Sequence, residues 1–195
     1  MPHFDICVSC RVFNSFRVAQ IGGMFDVPIA QRSVERFVVD VPELGDDWRI
    51  GLIVGPSGSG KSTIARAMFG DRLYGRRPWP ADRAVVDCLG DCLGDCLGGR
   101  SIREVTGLLT AVGFGSPPSW IKPYAVLSGG ERFRCDLARA LALAASGPEP
   151  RIAALDEYTS VVDRRVARIG SAAIAKAIRS GRIGCRFVAV TCHYD

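Results

Sequence analysis

Long apolar runs are missing from this chain of 195 residues: the stretch over 137–145 is broken by Arg139, whereas a bilayer-spanning helix needs about 20 consecutive apolar residues. The leading MPHFDICVSCRVF has no basic segment followed by a sustained apolar one. No secretory leader is therefore expected, and the chain reads as cytoplasmic with no direct membrane span. Lysine is scarce: of 25 Lys and Arg residues only Lys61, Lys122 and Lys176 are lysines, and the net charge of +5 is spread without a dense basic run. Such an excess suits anionic ligands in general, from nucleotides to nucleic acids, and selects none of them. Histidine is limited to His3 and His193, which disfavours cysteine–histidine catalysis. With 48% hydrophobic and 23% charged residues the composition excludes a disordered or fibrous chain, and the length suits one domain.

Cysteine, by contrast, is plentiful, with eight in the chain. In a reducing compartment these read as free thiols or metal ligands before disulfides. Cys7 and Cys10 form one C-x-x-C with His3 nearby, a pair short of a zinc framework, and a structural zinc there is left open. Cys88, Cys92 and Cys96 belong to a tetrapeptide written three times, DCLGDCLGDCLG over 87–98. A period of four is far below the roughly 20 residues of a solenoid unit, and each glycine weakens a helix by about 1 kcal/mol relative to Ala. The stretch reads as an irregular loop. Cys192 and His193 are neighbours on a strand and so point to opposite faces.

Along the chain, 1–47 is strand-rich, with strands expected over 17–21 and 33–41 and turns at Gly22-Gly23, Pro28, Pro42 and Gly45-Asp46. A short apolar run from Trp48, a Gly-rich turn and a helix ending at Gly70 follow. Residues 71–83 read as loop and 84–87 as a strand. Helices are expected over 101–112, 127–145 and 164–180, and strands over 152–155 and 186–191. Strands alternating with helices argue for an α/β fold: a mostly parallel sheet flanked by helices, with an antiparallel N-terminal part. Residues 48–87 and 146–195 would form the core, and about 100–145 a helical subdomain.

Three motifs carry chemistry. Gly55-Pro56-Ser57-Gly58-Ser59-Gly60-Lys61-Ser62-Thr63 matches G-x-x-x-x-G-K-[ST] between a strand and a helix, the context that pattern requires. Its glycines let successive backbone N–H groups curl around phosphate oxygens at a helix N-terminus. Lys61 would reach the β- and γ-phosphates and Ser62 would place its hydroxyl on Mg²⁺. Second, IAALDE delivers Asp156 and Glu157 at the end of an apolar strand, the edge where ligands sit in open α/β sheets. Asp156 can hold Mg²⁺ and Glu157 can polarise an attacking water; alone, such a pair also suits a helix cap or a solvated turn. Third, LSGGERFR sets Ser128, Gly129, Gly130 and Glu131 at a helix N-terminus, which reads both as a capping box and as an anion site.

Together these motifs resemble those of the ATP-binding-cassette (ABC) ATPases, over most of the chain. LSGGE looks like the signature motif of that superfamily, DEYTSVVD like its Walker B and D-loop run with Tyr158 where proline is common, and VAVTCH like its switch segment with Cys192 as an extra residue. The resemblance implies a head-to-tail homodimer or a paired ABC subunit. ATP and Mg²⁺ would be held by the phosphate loop of one subunit and capped by Ser128, Gly129 and Gly130 of the other. His193 would contact the γ-phosphate and Asp163 would communicate across the interface. The superfamily also has an aromatic stacked on adenine, for which Phe25 is the candidate by position. It has a glutamine that ligates Mg²⁺, too, but Gln20 and Gln31 both lie upstream of Gly55 and leave Asp87 as the substitute. The wording of GFGSPPSWIKPY, FRCDLARALA and FVAVTCHYD is similar to soluble bacterial and phage ABC-type ATPases, some fused to an acetyltransferase-like effector domain. Family members usually continue beyond the switch histidine, and this chain stops two residues after it, as a nearly minimal or truncated cassette.

The expected function is thus Mg-ATP binding and hydrolysis by a soluble ABC-type ATPase. The alternatives are the nucleotide-binding subunit of a transporter with a separate membrane chain, and a DNA-associated ATPase. The missing glutamine weighs against the first. The short segment between Lys61 and Ser128, with no room for a long coiled coil, weighs against the second and leaves nucleic acid unsupported as a partner.

Overall fold

The computed structural model describes residues 2–75, 77–91 and 99–192. The tetrapeptide repeat from Cys92 to Gly98 and the switch residue His193 lie outside them. The chain divides into two compact units, 1–44 and 45–195.

In the first unit, strand β1 (His3–Arg11) pairs antiparallel with β2 (Arg32–Asp40), in register from His3 against Asp40 to Arg11 against Arg32. His3 Nδ1 and Asp40 Oδ1 lie 2.7 Å apart at one end. Between the strands, 17–21 is not a strand but part of helix α1 (Phe16–Phe25). Val18 and Ile21 are β-branched, yet Ser15 accepts from the Val18 amide as N-cap and Asp26 closes the helix at φ 51°. The two ends, rather than the two branched residues, decide the local structure. Cys7 faces Arg36 across the ladder and Cys10 faces Ser33. Three positions apart on one strand, the two thiols point to opposite faces, so this C-x-x-C cannot close on one ion while the strand is intact. Among the described residues, no cluster of three His, Cys, Asp or Glu side chains could hold a metal.

The second unit is built on a parallel sheet of β3 (Ile50–Val54), β6 (Arg186–Thr191), β5 (Ile152–Leu155) and β4 (Leu73–Tyr74), in that spatial order. The inner strands are apolar over Ile152–Leu155 and from Phe187 to Val190 because both faces are covered. Ile152, Ala154, Val188 and Val190 turn towards α2 (Lys61–Phe69), packing with Ala65 and Phe69. Ala153, Leu155, Phe187 and Ala189 turn to the other face. There they meet α3 (Val85–Gly90), α4 (Ile102–Ala111), the short α5 (Pro117–Trp120), α6 (Gly129–Ser146) and α7 (Arg164–Arg179). The long α6 lies through this second core: its Leu137 and Leu141 are fully buried.

The expected strand at 84–87 is helix α3 instead. Val85, Cys88 and Leu89, spaced i, i+3 and i+4, bury one helical stripe against α4 and α6. Asp87 therefore stands in the first turn of a helix and not at the end of a sheet strand. The fourth strand is formed earlier, by Leu73 and Tyr74 within the segment read as loop. It is two residues long, too short for any period to show in sequence.

Candidate functional site

Parallel pairing brings the strand ends together. Val54 is in register with Thr191, Ala189 with Leu155, and Leu155 with Tyr74. The turn after β3, the carboxylates after β5 and the segments after β6 and β4 therefore emerge at one edge of the sheet, where α/β folds place their ligands.

The turn of 55–60 leads directly into α2. A Cβ at Gly55 would stand 2.7 Å from Ser59 Oγ, so a side chain there would require the Ser59 hydroxyl to turn away. Gly60 caps α2 at φ 79°, a left-handed conformation that favours glycine. Having no side chain, it leaves the first amides of α2 for an external acceptor, with the positive end of the helix dipole behind them. Lys61 folds back over the turn and Nζ donates to the Pro56 carbonyl at 2.7 Å. Ser62 Oγ donates to Asp156 Oδ1 at 2.9 Å, across 94 positions of sequence.

Asp156 Oδ1 also accepts from the Glu157 amide at 2.9 Å. Glu157 itself sits at φ 50° and Thr159 at φ 68°, left-handed conformations unusual for residues with a Cβ. The turn is held there from several sides. Tyr158 donates its amide to the Val190 carbonyl at 2.8 Å, and Ser160 Oγ donates to the Glu157 carbonyl at 2.8 Å. The buried ring of Tyr158 packs against Phe133 and Phe187, and its hydroxyl meets Ser171 Oγ at 2.9 Å. The tyrosine that departs from the resembling motif thus fastens the acidic turn to α6 and α7.

At the start of α6, Ser128 and Glu131 form the expected capping box. Glu131 also accepts from Ser119 Oγ at 2.6 Å, and this bond together with those from Ser128 holds its carboxyl below the ordinary value of 4.5. Ser128 and Gly129 are exposed, so the turn faces solvent. Gly130 lies against the first turn of α7, where an added Cβ would stand 3.3 Å from Val166. Asp163 is the N-cap of α7, accepting from the Arg165 and Val166 amides at 2.9 and 3.0 Å.

The structure brings together Gly55 to Thr63, Asp156 and Glu157. Phe25, the last residue of α1, is an exposed side chain of the first unit. Asp87, on α3, has Arg83 and Cys88 as its charged and titratable company. The residue that lies beside the acidic strand end is Tyr74, the register partner of Leu155.

Sequence reasoning passed over Tyr74 and its surroundings. A cavity of about 290 Å³ is lined by Tyr74, Tyr124, Gly129, Asp136, Asp156 and Glu157, so it joins the acidic turn to the start of α6 within one chain. Burial and a hydrogen bond to Asp136 push the Tyr124 hydroxyl well above its ordinary pKa of 10. It is therefore a donor at any physiological pH. The aromatics here, Tyr74, Trp79 and Tyr124, are scattered along the sequence without a period, so no local cue marked them. Burial also raises the thiols of Cys88, of Cys135 to about 12 and of Cys185 to about 11, so all three remain protonated.

No protein-family model matches the chain. Among solved structures it is similar to the dimeric form of a bacterial ABC transporter cassette, MJ0796. The TM-score is 0.60 and the identity 18%, over 83% of this chain and 82% of that one. A post-hydrolysis dimer of the same cassette, bound to ADP and Pi, matches with the same TM-score of 0.60 and 18% identity. At that identity the likeness concerns the fold. In sequence, the chain is 32% identical to the Fe(3+) ions import ATP-binding protein FbpC of Streptomyces coelicolor over 190 residues, covering 80% of this chain and 51% of that protein. It is 31% identical to the hemin import ATP-binding protein HmuV of Chelativorans sp. over 142 residues, covering 58% of this chain and 55% of that protein. The chain spans about half the length of the curated relatives it matches.

A parallel sheet that delivers a glycine-rich turn, a helix N-terminus and an acidic strand end to one edge defines a phosphate-loop nucleotide-binding protein. With the signature turn heading α6 and a fold like that of the cassettes, the chain is similar in sequence and fold to the ATP-binding domains of ABC proteins.

Proposed function

We propose that the chain binds Mg-ATP and hydrolyses it in a head-to-tail dimer, as a cytoplasmic ABC-type ATPase. The observation that carries this reading is the 2.9 Å hydrogen bond between Ser62 Oγ and Asp156 Oδ1, beside a turn whose amides lack a capping side chain. Two hard oxygen donors meeting next to a phosphate cradle fit a Mg²⁺ ion carried in with a nucleotide. Ser62 and Asp156 would hold that ion, which when bound neutralises charge on the transferring phosphate.

The remaining work belongs to the chain's own groups. Amides from Gly55 to Thr63 bind the phosphate oxygens and fix their orientation. Lys61 exchanges the Pro56 carbonyl for a phosphate oxygen, a stronger charge-assisted partner. Glu157, exposed at the tip of its turn, accepts a proton from the attacking water, while Asp156 is tied to Ser62 and to the Glu157 amide. His193 follows β6 by two residues and is the candidate for the γ-phosphate. The exposed turn of Ser128, Gly129 and Gly130 would cap the nucleotide of a second subunit, with Asp163 near the same interface.

Glu157→Gln tests the reading directly. It keeps ATP affinity, loses turnover by about a hundredfold or more, and accumulates as an ATP-dependent dimer in light scattering. Turnover equal to wild type would refute the general-base assignment.

A second reading, the ATP-binding subunit of an importer with a separate membrane chain, is favoured by the names of both curated relatives. No helix among the described residues is long and apolar enough to cross a membrane, so in that reading the membrane-spanning part lies outside them. Stimulation of the ATPase rate by membrane fractions, and not by soluble ones, distinguishes it.

A further inference from the structure

Among the described residues Arg139 is the only charged side chain in the buried class, at 7% exposure. A guanidinium in that position costs several kcal/mol unless its donors are matched. Here they are. Nε donates to Tyr74 Oη at 2.7 Å, Nη1 to the Pro78 carbonyl at 3.1 Å, and Nη2 to the Arg77 carbonyl. The group also lies 4.2 Å from the centre of the Trp79 ring. One turn earlier on α6, Asp136 stands 3.9 Å from Arg139 and accepts from Trp79 Nε1 and Tyr124 Oη, both at 2.8 Å. Trp79 and Tyr124 stack with ring centres 4.9 Å apart and planes 3° from parallel.

This network ties the segment after β4 to a single turn of α6. Apolar side chains of similar volume would join the same elements at no greater cost in stability. What a polar network with a partner at every guanidinium nitrogen adds is one fixed geometry. The geometry is spent beside the acidic turn: Tyr74 is in register with Leu155, the residue before Asp156, and lines the same cavity as Asp156 and Glu157.

We propose that Asp136 and Arg139 lock the segment after β4 onto α6, and that Tyr74 thereby acts as a positioning residue for Asp156 and Glu157. The proposal rests on the ATPase reading given above.

Tyr74→Phe is the test, because it removes one hydroxyl and keeps the ring. The expected result is a kcat about tenfold lower with KM for ATP within twofold of wild type. In nucleotide-free protein, hydrogen exchange over 74–83 should be at least threefold faster. Arg139→Lys, which keeps the charge without the fork, should not restore either property. A Tyr74→Phe kcat within twofold of wild type overturns the proposal, whatever the exchange shows. So does a parallel loss of kcat and ATP affinity that tracks a lower melting temperature, the mark of a purely structural role. Failure of the underlying reading looks different: wild type and Glu157→Gln would then be equally inactive.

Discussion

At the scale of single residues, the most informative side chain is Glu157, because its backbone is held where only glycine is comfortable. A left-handed conformation costs an ordinary residue about 1–2 kcal/mol, and strain of this kind concentrates at functional turns. Comparing two variants isolates it. Glu157→Gln and Glu157→Gly both lose the carboxylate and both should lose turnover, yet Glu157→Gly should be more stable to denaturant by about 1 kcal/mol. Equal stability would mean that the turn carries no strain. The placing of Lys61, Ser62, Asp156 and Glu157 at one sheet edge was foreshadowed in sequence, because a glycine-rich turn before a helix and a strand-end acidic pair depend on local order of residues. Asp87 was not. Its place depended on whether 84–87 continued a strand or opened a helix, and burial of Val85, Cys88 and Leu89 decided for the helix.

At the scale of elements, α6 links the two halves of the site. Its capping box and apolar spacing were readable from Ser128, Glu131, Phe133, Leu137 and Leu141, and the structure adds Ser119 as a third partner of the cap. The ionised form of Glu131 is the one these bonds favour, so its folded pKa lies below 4.5. Its contribution to stability is therefore present above that ordinary value and is lost as pH falls through the lowered one. Glu131→Gln should cost about 0.5–1 kcal/mol at neutral pH and should flatten the acid limb of the stability curve below pH 4.5, measured by denaturant titration. An unchanged acid limb would remove Glu131 from the account of this cap. Helix α1 makes the converse point: two β-branched residues read as a strand, while Ser15 and Asp26 at its ends settled it as a helix.

At the scale of the whole molecule, the proposed head-to-tail dimer makes each site a product of two chains. Lys61→Ala should disable a phosphate loop and Ser128→Arg a signature turn, so each variant alone should be inactive. Mixed in equal amounts, they should regain activity, since a heterodimer keeps one site with both parts intact. An inactive mixture would count against the head-to-tail arrangement. The sequence by itself determined the class of chemistry and the α/β alternation, because those rest on short-range order: a glycine-rich turn before a helix, an acidic pair after an apolar strand, a capping box. Tertiary structure alone decided which strand lies beside Asp156, why a buried arginine is tolerated on α6, and that Tyr74, Tyr124 and Asp136 share a cavity with Glu157. Those facts depend on a bond across 65 positions between Tyr74 and Arg139 and on strand pairing across more between Tyr74 and Leu155, and no local pattern in a chain encodes which distant residues will meet.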